Sequence, residues 1–123
     1  IRRATAQALS LMGHRIDQAG DGAEAVRLYR GRSETGAPYD VVVLDLTVPG
    51  GMGGYDAFTA IRKIDPGVCA IVSSGYSSDP VMATYREHGF AGVLPKPYTP
   101  SDLLAVLAQV FAERAEERGH LPR

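Results

Sequence analysis

The sequence predicts an α/β domain with one hydrophobic core and a parallel sheet that is covered by helices on both faces. Short apolar runs alternate with segments of helical periodicity, which is typical of strand–helix units joined by right-handed crossovers. The run Val41-Val42-Val43-Leu44 is apolar at every position, as expected for a strand buried between two helical layers. A chain of 123 residues can form one core and is too short for two ordinary domains.

The first third of the chain predicts a helix, a strand and a second helix. Apolar residues recur at helical spacing from Ile1, and Gly13 is expected to end this helix. A short strand is predicted over residues 14–19, followed after a glycine turn by a helix over 23–30 and a polar loop over 31–38. The opening helix has no strand in front of it, so one strand of the sheet is expected to be missing from this chain.

The rest of the chain predicts three further strand–helix units. Their strands are expected over residues 40–46, 68–73 and 91–94. Their helices are expected over residues 55–64, 79–88 and 101–119, each bounded by glycine or proline. We assign residues 1–111 to the domain and residues 112–123 to a C-terminal helical extension or linker.

Composition excludes several classes of protein. The net charge of −1, with acidic and basic residues interspersed, lacks the basic excess that binding to a nucleic-acid backbone requires. No apolar run approaches the roughly 18–20 residues needed to cross a bilayer. The single cysteine, Cys69, cannot form an internal disulfide and is interpreted as a small buried apolar residue. We therefore expect a cytoplasmic domain that contacts neither nucleic acid nor membrane.

Polar side chains that could carry chemistry follow three of the predicted strands. Asp45 ends the apolar strand and precedes Thr47, Ser73 and Ser74 end the next strand, and Lys96 follows the last. The carboxyl ends of parallel strands meet at one edge of the sheet, where such domains bind ligands. A carboxylate, a hydroxyl and an ammonium gathered there suit phosphoryl transfer, in which the carboxylate attacks and the other groups stabilise the transferred oxygens.

Each of these residues also has a simpler explanation. Asp45 could be a turn residue, the serines ordinary turn hydroxyls, and Lys96 a solvated surface charge. Other kinds of site fail on spacing: Asp56 occupies the position where a dinucleotide fingerprint needs its third glycine. No hydrolase nucleophile elbow surrounds Ser74, and the three histidines are scattered rather than clustered as zinc ligands. The combination of groups at one edge favours phosphoryl transfer.

The same residues resemble a known family. Residues 39–46 are similar to the phosphoacceptor strand of a response-regulator receiver domain, and residues 94–98 to its lysine–proline turn. Residues 21–25 resemble the start of that family's second helix. The stretch 73–76 is similar to the receivers of hybrid sensor histidine kinases. The resemblance covers nearly the whole chain and concerns a signalling domain of two-component systems.

This resemblance implies a doubly wound sheet of the flavodoxin and receiver type, with strand order 2-1-3-4-5. Asp45 would accept the phosphoryl group from a phosphohistidine, and the Thr47 backbone carbonyl would bind Mg²⁺ beside Asp45. Ser73 would be the switch hydroxyl and Lys96 would pair with the phosphoryl oxygens. The implied partners are a histidine kinase or phosphotransfer domain and a downstream output protein or domain. Such a domain accepts phosphate but turns over no external substrate.

Three departures from the family pattern affect this prediction. The first strand and the acidic pair that binds Mg²⁺ would precede Ile1, so Mg²⁺ binding by the chain as given is expected to be poor. The loop after Asp45 is one residue longer than usual, and Val93 stands where many receivers carry an aromatic residue. The competing hypothesis is a pseudo-receiver that binds proteins without Mg²⁺-dependent phosphorylation. A flavin-binding protein is disfavoured because no phosphate-binding first loop is present.

The missing strand is also a problem for folding. In the order 2-1-3-4-5 it would lie between the strands at 14–19 and 40–46, leaving unpaired backbone groups that cost on the order of 1–3 kcal/mol each. We expect residues before Ile1 to fill this gap. A strand exchanged with a second copy, or direct pairing of the two flanking strands, are the alternatives.

Overall fold

A computed structural model describes Ser10, Asp17 and Ala19 singly, together with residues 21–46, 53–75 and 80–119. The predicted first helix lies outside these residues except at Ser10, which is helical. The strand predicted over 14–19 is described only at Asp17 and Ala19, and neither residue lies in a strand. The chain divides into two compact units, residues 17–96 and residues 1–16 with 97–123, which are taken in turn.

The first unit contains three helices and three strands. They are α1 (Gly22–Glu34), β1 (Val42–Asp45), α2 (Gly54–Ile64), β2 (Ala70–Ser74), α3 (Pro80–Ala83) and β3 (Gly92–Pro95). The strands form a parallel sheet in the order β1-β2-β3, in which Asp45 lies opposite Ser73 and Ser74 lies opposite Pro95. The predicted α/β class and parallel sheet are therefore confirmed, and the described strands follow one another as strands three to five of the predicted order.

The helix α1 is longer than predicted. It was expected to end at Arg30, but it continues through Gly31 to Glu34. Gly31 in a helix interior costs only about 1 kcal/mol, which the rest of the helix can offset. The stop comes at Gly36, whose φ of 80° suits the left-handed conformation that often follows a helix. The polar loop is therefore shorter than the sequence indicated.

A helix was predicted over residues 79–88, but the helix observed there is α3, which ends at Ala83, and residues 84–89 form turns. The Pro80 carbonyl oxygen accepts both the Thr84 amide, at 3.1 Å, and the Thr84 hydroxyl, at 2.8 Å. Further along the chain, the amides of Glu87, His88 and Gly89 each donate to the carbonyl oxygen three residues back. The prediction was wrong beyond Ala83 because tight turns replace helical hydrogen bonds there.

The core of the first unit lies between its helices and its sheet. Phe58 and Ile61 of α2 are 2% and 0% exposed, and the Phe58 ring stacks on Phe90 with centroids 4.1 Å apart. Both α1 and β1 pack against α2. The remaining buried members of this core are Val26, Tyr29, Leu44, Ala57, Ala70, Val72 and Met82. This packing holds the strand that ends in Asp45.

A polar cluster surrounds Tyr39, which precedes β1. The Tyr39 hydroxyl donates to Asp17 Oδ2 at 2.5 Å, and the Arg32 guanidinium lies 5.1 Å from the centre of the Tyr39 ring. Burial, followed by the hydrogen bond to the Asp17 carboxylate, raises the pKa of Tyr39 from 10.0 to about 12. The cluster therefore favours the neutral phenol.

We expect the free energy of unfolding to fall as the pH rises from about 10 to about 12, because Tyr39 keeps its proton longer in the folded chain than in the unfolded one. Below pH 10 this contribution is fully present, and above the folded pKa it is lost. Replacing Tyr39→Phe should remove this part of the pH dependence. Urea unfolding at several pH values, with tyrosinate absorbance as a second readout, measures it; an unchanged pH profile in the variant would contradict the assignment.

The second unit is described mainly through one helix, α4 (Pro100–Gly119). A reciprocal capping arrangement precedes it: the Thr99 amide donates to Asp102 Oδ2 at 2.8 Å, and the Asp102 amide donates to Thr99 Oγ1 at 3.1 Å. Its predicted apolar stripe is buried at Leu103, Leu107 and Val110. The helix runs unbroken past residue 111, where the predicted extension begins. Among the helices described, none is long and apolar enough to cross a membrane.

Candidate functional site

Asp45 is the last residue of β1 and lies at the carboxyl edge of the sheet. The strand in front of it is fixed by packing, and the amide of the next residue, Leu46, donates to the Ser73 carbonyl oxygen at 2.9 Å. The Asp45 side chain is 28% exposed, so its carboxylate is open to an incoming group. The sequence placed Asp45 at this strand end, and the structure agrees.

Lys96 follows β3 directly and reaches Asp45 across the end of β2. The Lys96 amide donates to the Ser74 carbonyl oxygen at 3.0 Å, which extends the β2–β3 ladder by one residue. The Lys96 ammonium donates to Asp45 Oδ2 and forms an ion pair with it, with its side chain 39% exposed. Two of the predicted site residues, 51 positions apart in the chain, are therefore in contact.

Two serines end β2, the strand that lies between the strands preceding Asp45 and Lys96. Ser73 and Ser74 are each 1% exposed, and Ser73 is the register partner of Asp45. Within the described part of the chain, the buried Ser73 Oγ has no hydrogen-bond partner. A buried hydroxyl without a partner is costly in a folded protein and indicates a group that could donate to a ligand. Ser73 is thus the neighbour of Asp45 across the sheet, although its hydroxyl makes no hydrogen bond to the carboxylate.

The remaining predicted ligand, Thr47, lies outside the described residues. Over residues 21–46, 53–75 and 80–119, no group of three or more His, Cys, Asp or Glu side chains could hold a metal ion. Mg²⁺ needs six oxygen ligands in near-octahedral geometry, and Asp45 supplies one carboxylate. The described residues alone do not fit a complete Mg²⁺ site, so we derive no chemical step through the metal.

Sequence reasoning missed Gly54, the first residue of α2, which it treated only as part of a loop. The position that a Cβ atom would take at Gly54 lies 2.5 Å from the Asp45 carbonyl oxygen. Only the pair of adjacent glycines, Gly53-Gly54, directly before the helical periodicity could have drawn attention to it. The close approach itself depends on how α2 packs against β1, which the sequence pattern does not contain.

The arrangement can accept an electrophile and stabilise the negative charge that comes with it. Asp45 offers a nucleophilic carboxylate, and the Lys96 ammonium is already within contact of that carboxylate. A buried hydroxyl lies on the neighbouring strand, at Ser73. These are the components that the transfer of a phosphoryl group to a carboxylate requires, apart from a metal ion.

The comparisons with known proteins identify the family and the fold. The family model described as "Response regulator receiver domain" matches residues 1–108. Chemotaxis protein CheY of Thermotoga maritima is 32% identical over 93 residues, which are 76% of this chain and 72% of that protein. Transcription factor SKN7 of Candida albicans is 31% identical over 80 residues, 65% of this chain but only 14% of that protein. The chain thus spans a small part of the transcription factors that it matches.

Solved structures share the fold. A CheY-like response regulator receiver domain protein from Methanospirillum hungatei superposes with a TM-score of 0.77 at 23% identity, covering 93% of this chain and 86% of that one. A response regulator from Burkholderia pseudomallei, solved with a phosphorylated aspartic acid and a calcium ion, gives a TM-score of 0.70 at 22% identity, with coverages of 97% and 67%. At these identities, the likeness shows the fold alone.

Proposed function

Because this chain belongs to the response regulator receiver domain family, we propose that it accepts a phosphoryl group on Asp45 in a histidine-to-aspartate phosphorelay. Receiver domains are phosphoacceptor switch modules rather than enzymes in the usual sense, and they interact with histidine kinases or phosphotransfer proteins and with output domains. The observation that carries the proposal is the contact between the Lys96 ammonium and the partly exposed Asp45 carboxylate at the edge of the sheet.

In the proposed reaction, a carboxylate oxygen of Asp45 attacks the phosphorus of a phosphohistidine on the partner. The new bond joins Asp45 oxygen to phosphorus as the phosphorus–nitrogen bond breaks, and the imidazole leaves with that electron pair. Lys96 then neutralises charge on the phosphoryl oxygens. Its ammonium thus leaves the singly charged carboxylate of Asp45 and pairs with the more highly charged phosphoryl group. Receiver domains generally bind Mg²⁺ for phosphorylation, and Asp45 and the Thr47 carbonyl are the ligands that we propose from this chain.

The proposed switch is a hydroxyl at the end of β2. Phosphorylation adds up to about two negative charges and several strong acceptor oxygens, to which a buried hydroxyl without a partner can donate. Ser73 is the proposed donor on the strength of its unpaired Oγ within the described residues. Movement of the β2 end would then change the surface near α3 and alter binding to an output partner.

The proposal is tested by incubating a purified protein containing this domain with acetyl phosphate and Mg²⁺, and measuring its intact mass. We expect one added phosphoryl group, which hydroxylamine should remove because an acyl phosphate is labile. Chelation of Mg²⁺ should prevent the addition. No added mass over a range of acetyl phosphate and Mg²⁺ concentrations would overturn the proposal.

That negative result would favour the alternative, a pseudo-receiver that binds proteins without Mg²⁺-dependent phosphorylation. The observation in its favour is the lack, in the residues that the structure describes, of an acidic cluster able to hold a metal ion. For either function, we propose a cytoplasmic module at residues 1–111, with residues 112–123 as a C-terminal helical extension or linker. The acetyl phosphate experiment distinguishes the two functions, because only a phosphoacceptor gains the added mass.

Replacing Ser73→Ala is expected to slow phosphorylation roughly tenfold or more, because a hydrogen bond to a charged group is worth about 1.5–3 kcal/mol. The rate of mass gain with acetyl phosphate measures the effect. Ser74→Ala is the matched variant, since Ser74 is equally buried and ends the same strand. A large loss in Ser74→Ala with none in Ser73→Ala would transfer the switch role to Ser74.

A further inference from the structure

Gly54 is buried at the first position of α2, against the backbone that carries the phosphoacceptor. A Cβ atom at Gly54 would lie 2.5 Å from the carbonyl oxygen of Asp45, 2.8 Å from its carbonyl carbon and 3.2 Å from the amide nitrogen of Leu46. All three atoms belong to the peptide group that links Asp45 to Leu46. Backbone atoms in a sheet cannot swing aside as a flexible side chain could, so position 54 has no space for a side chain.

The requirement for glycine at position 54 is one of space and not of backbone conformation. The glycines with positive φ in the described part of the chain are Gly36 and Gly89. The adjacent Gly53 has a φ of −77°, and a Cβ atom there would meet nothing within 4 Å. Gly53 and Gly54 therefore differ in the space available for a Cβ atom, and a comparison of alanine variants at the two positions tests the effect of that space.

The peptide group that Gly54 approaches is held from two directions. On one side the first turn of α2 lies against it, and on the other the Leu46 amide donates to the Ser73 carbonyl oxygen at 2.9 Å. The Cα atom of Asp45 belongs to the same peptide group, so a shift of this group moves the carboxylate. That carboxylate is in contact with Lys96, which is fixed to β2 through its own amide.

We propose that Gly54 is a positioning residue for phosphoryl transfer: the absence of a side chain seats α2 against the Asp45–Leu46 peptide and thereby fixes where the Asp45 carboxylate meets the phosphodonor. This inference rests on the proposed phosphoacceptor function. A methyl group at position 54 would have to push the peptide or the helix away by more than half an ångström to reach an ordinary contact distance. A misplacement of about 1 Å at a reacting group can slow a reaction about 100-fold.

The experiment compares Gly54→Ala with Gly53→Ala in a protein containing the whole domain. Initial rates of phosphorylation are measured over a range of acetyl phosphate concentrations, at a temperature where circular dichroism shows each variant to be fully folded. We expect Gly54→Ala to lower the maximal rate by between about 10-fold and 100-fold while leaving the half-saturating donor concentration nearly unchanged. Gly53→Ala should react like the unmodified protein.

A folded Gly54→Ala variant that reacts at the unmodified rate would overturn the inference and leave the proposed function intact. A failure of the unmodified protein to react would instead overturn the proposed function, and the inference with it. If Gly54→Ala does not fold, the amide resonances of the unmodified protein decide the question. Phosphorylation should then shift the amide resonance of Gly54 more than that of Gly31. Gly31 is the comparison because it lies in a helix but, unlike Gly54, has open space at its Cβ position. Equal shifts would overturn the inference.

Discussion

Replacement of Asp45→Asn is expected to abolish phosphorylation by acetyl phosphate, because the amide oxygen is not the anionic nucleophile that forms an acyl phosphate. Intact-mass measurement after prolonged incubation with donor and Mg²⁺ checks this directly. The fold should survive, since the ion pair of Asp45 with Lys96 is partly exposed and such pairs are worth about 1 kcal/mol or less. An asparagine at this position can still accept a hydrogen bond from the lysine.

The matched control is Asp40→Asn, which removes an exposed carboxylate five residues earlier, before β1 begins. This variant should gain one phosphoryl group at the unmodified rate. Accumulation of phosphate on the Asp45→Asn protein would show that another residue is the acceptor. Loss of phosphorylation in both variants would point to a general effect of charge instead of a specific nucleophile.

The second large effect is expected on stability. Phe58→Ala should lower the free energy of unfolding by about 3–5 kcal/mol, which is the usual cost of removing a buried phenyl ring and leaving a cavity. Phe58 is 2% exposed, stacks on Phe90, and has the Arg62 guanidinium 5.3 Å from its ring centre. Both contacts are lost with the ring, and urea denaturation followed by circular dichroism measures the difference.

Thr59→Ala is the neighbouring control, because the Thr59 side chain is exposed and its hydroxyl donates to the carbonyl oxygen of Tyr55 in the same helix. Its free energy of unfolding should stay within about 0.5 kcal/mol of the unmodified value. If Phe58→Ala cost less than about 1 kcal/mol, the aromatic pair could not be part of a packed core.

The sequence predicted the sheet well, because apolar runs identify strands wherever both faces are covered. The strand that ends in Asp45 and the lysine after the last strand were both predicted, and the common edge of a parallel sheet accounts for their contact. Helix ends were harder to predict. Gly31 looked like a stop signal, yet the helix continued to Glu34, since a local preference of about 1 kcal/mol is easily outweighed by packing.

The parts of the site that the sequence did not predict depend on tertiary geometry. Gly54 is unremarkable in a glycine-rich loop, and its role becomes visible only when its distance to the Asp45 carbonyl group is known. The roles of Asp45, Lys96, Ser73 and Thr47 stay predictions, and Thr47 lies outside the described residues. Two adjacent serines at a strand end are equivalent in composition, so the choice between them depends on hydrogen bonding at the strand end.

The turns that replace a regular helix over residues 84–89 affect how a signal could spread through this domain. Isolated turns lack the cooperative ladder of a long helix, so opening any one of them disturbs few neighbours and costs little free energy. They follow β2 in the chain, whereas Phe90 beyond them is anchored in the core. A small displacement of the end of β2 would therefore be accommodated by rearrangement of these turns. The amide hydrogens of residues 84–89 should exchange with solvent sooner than those of α2.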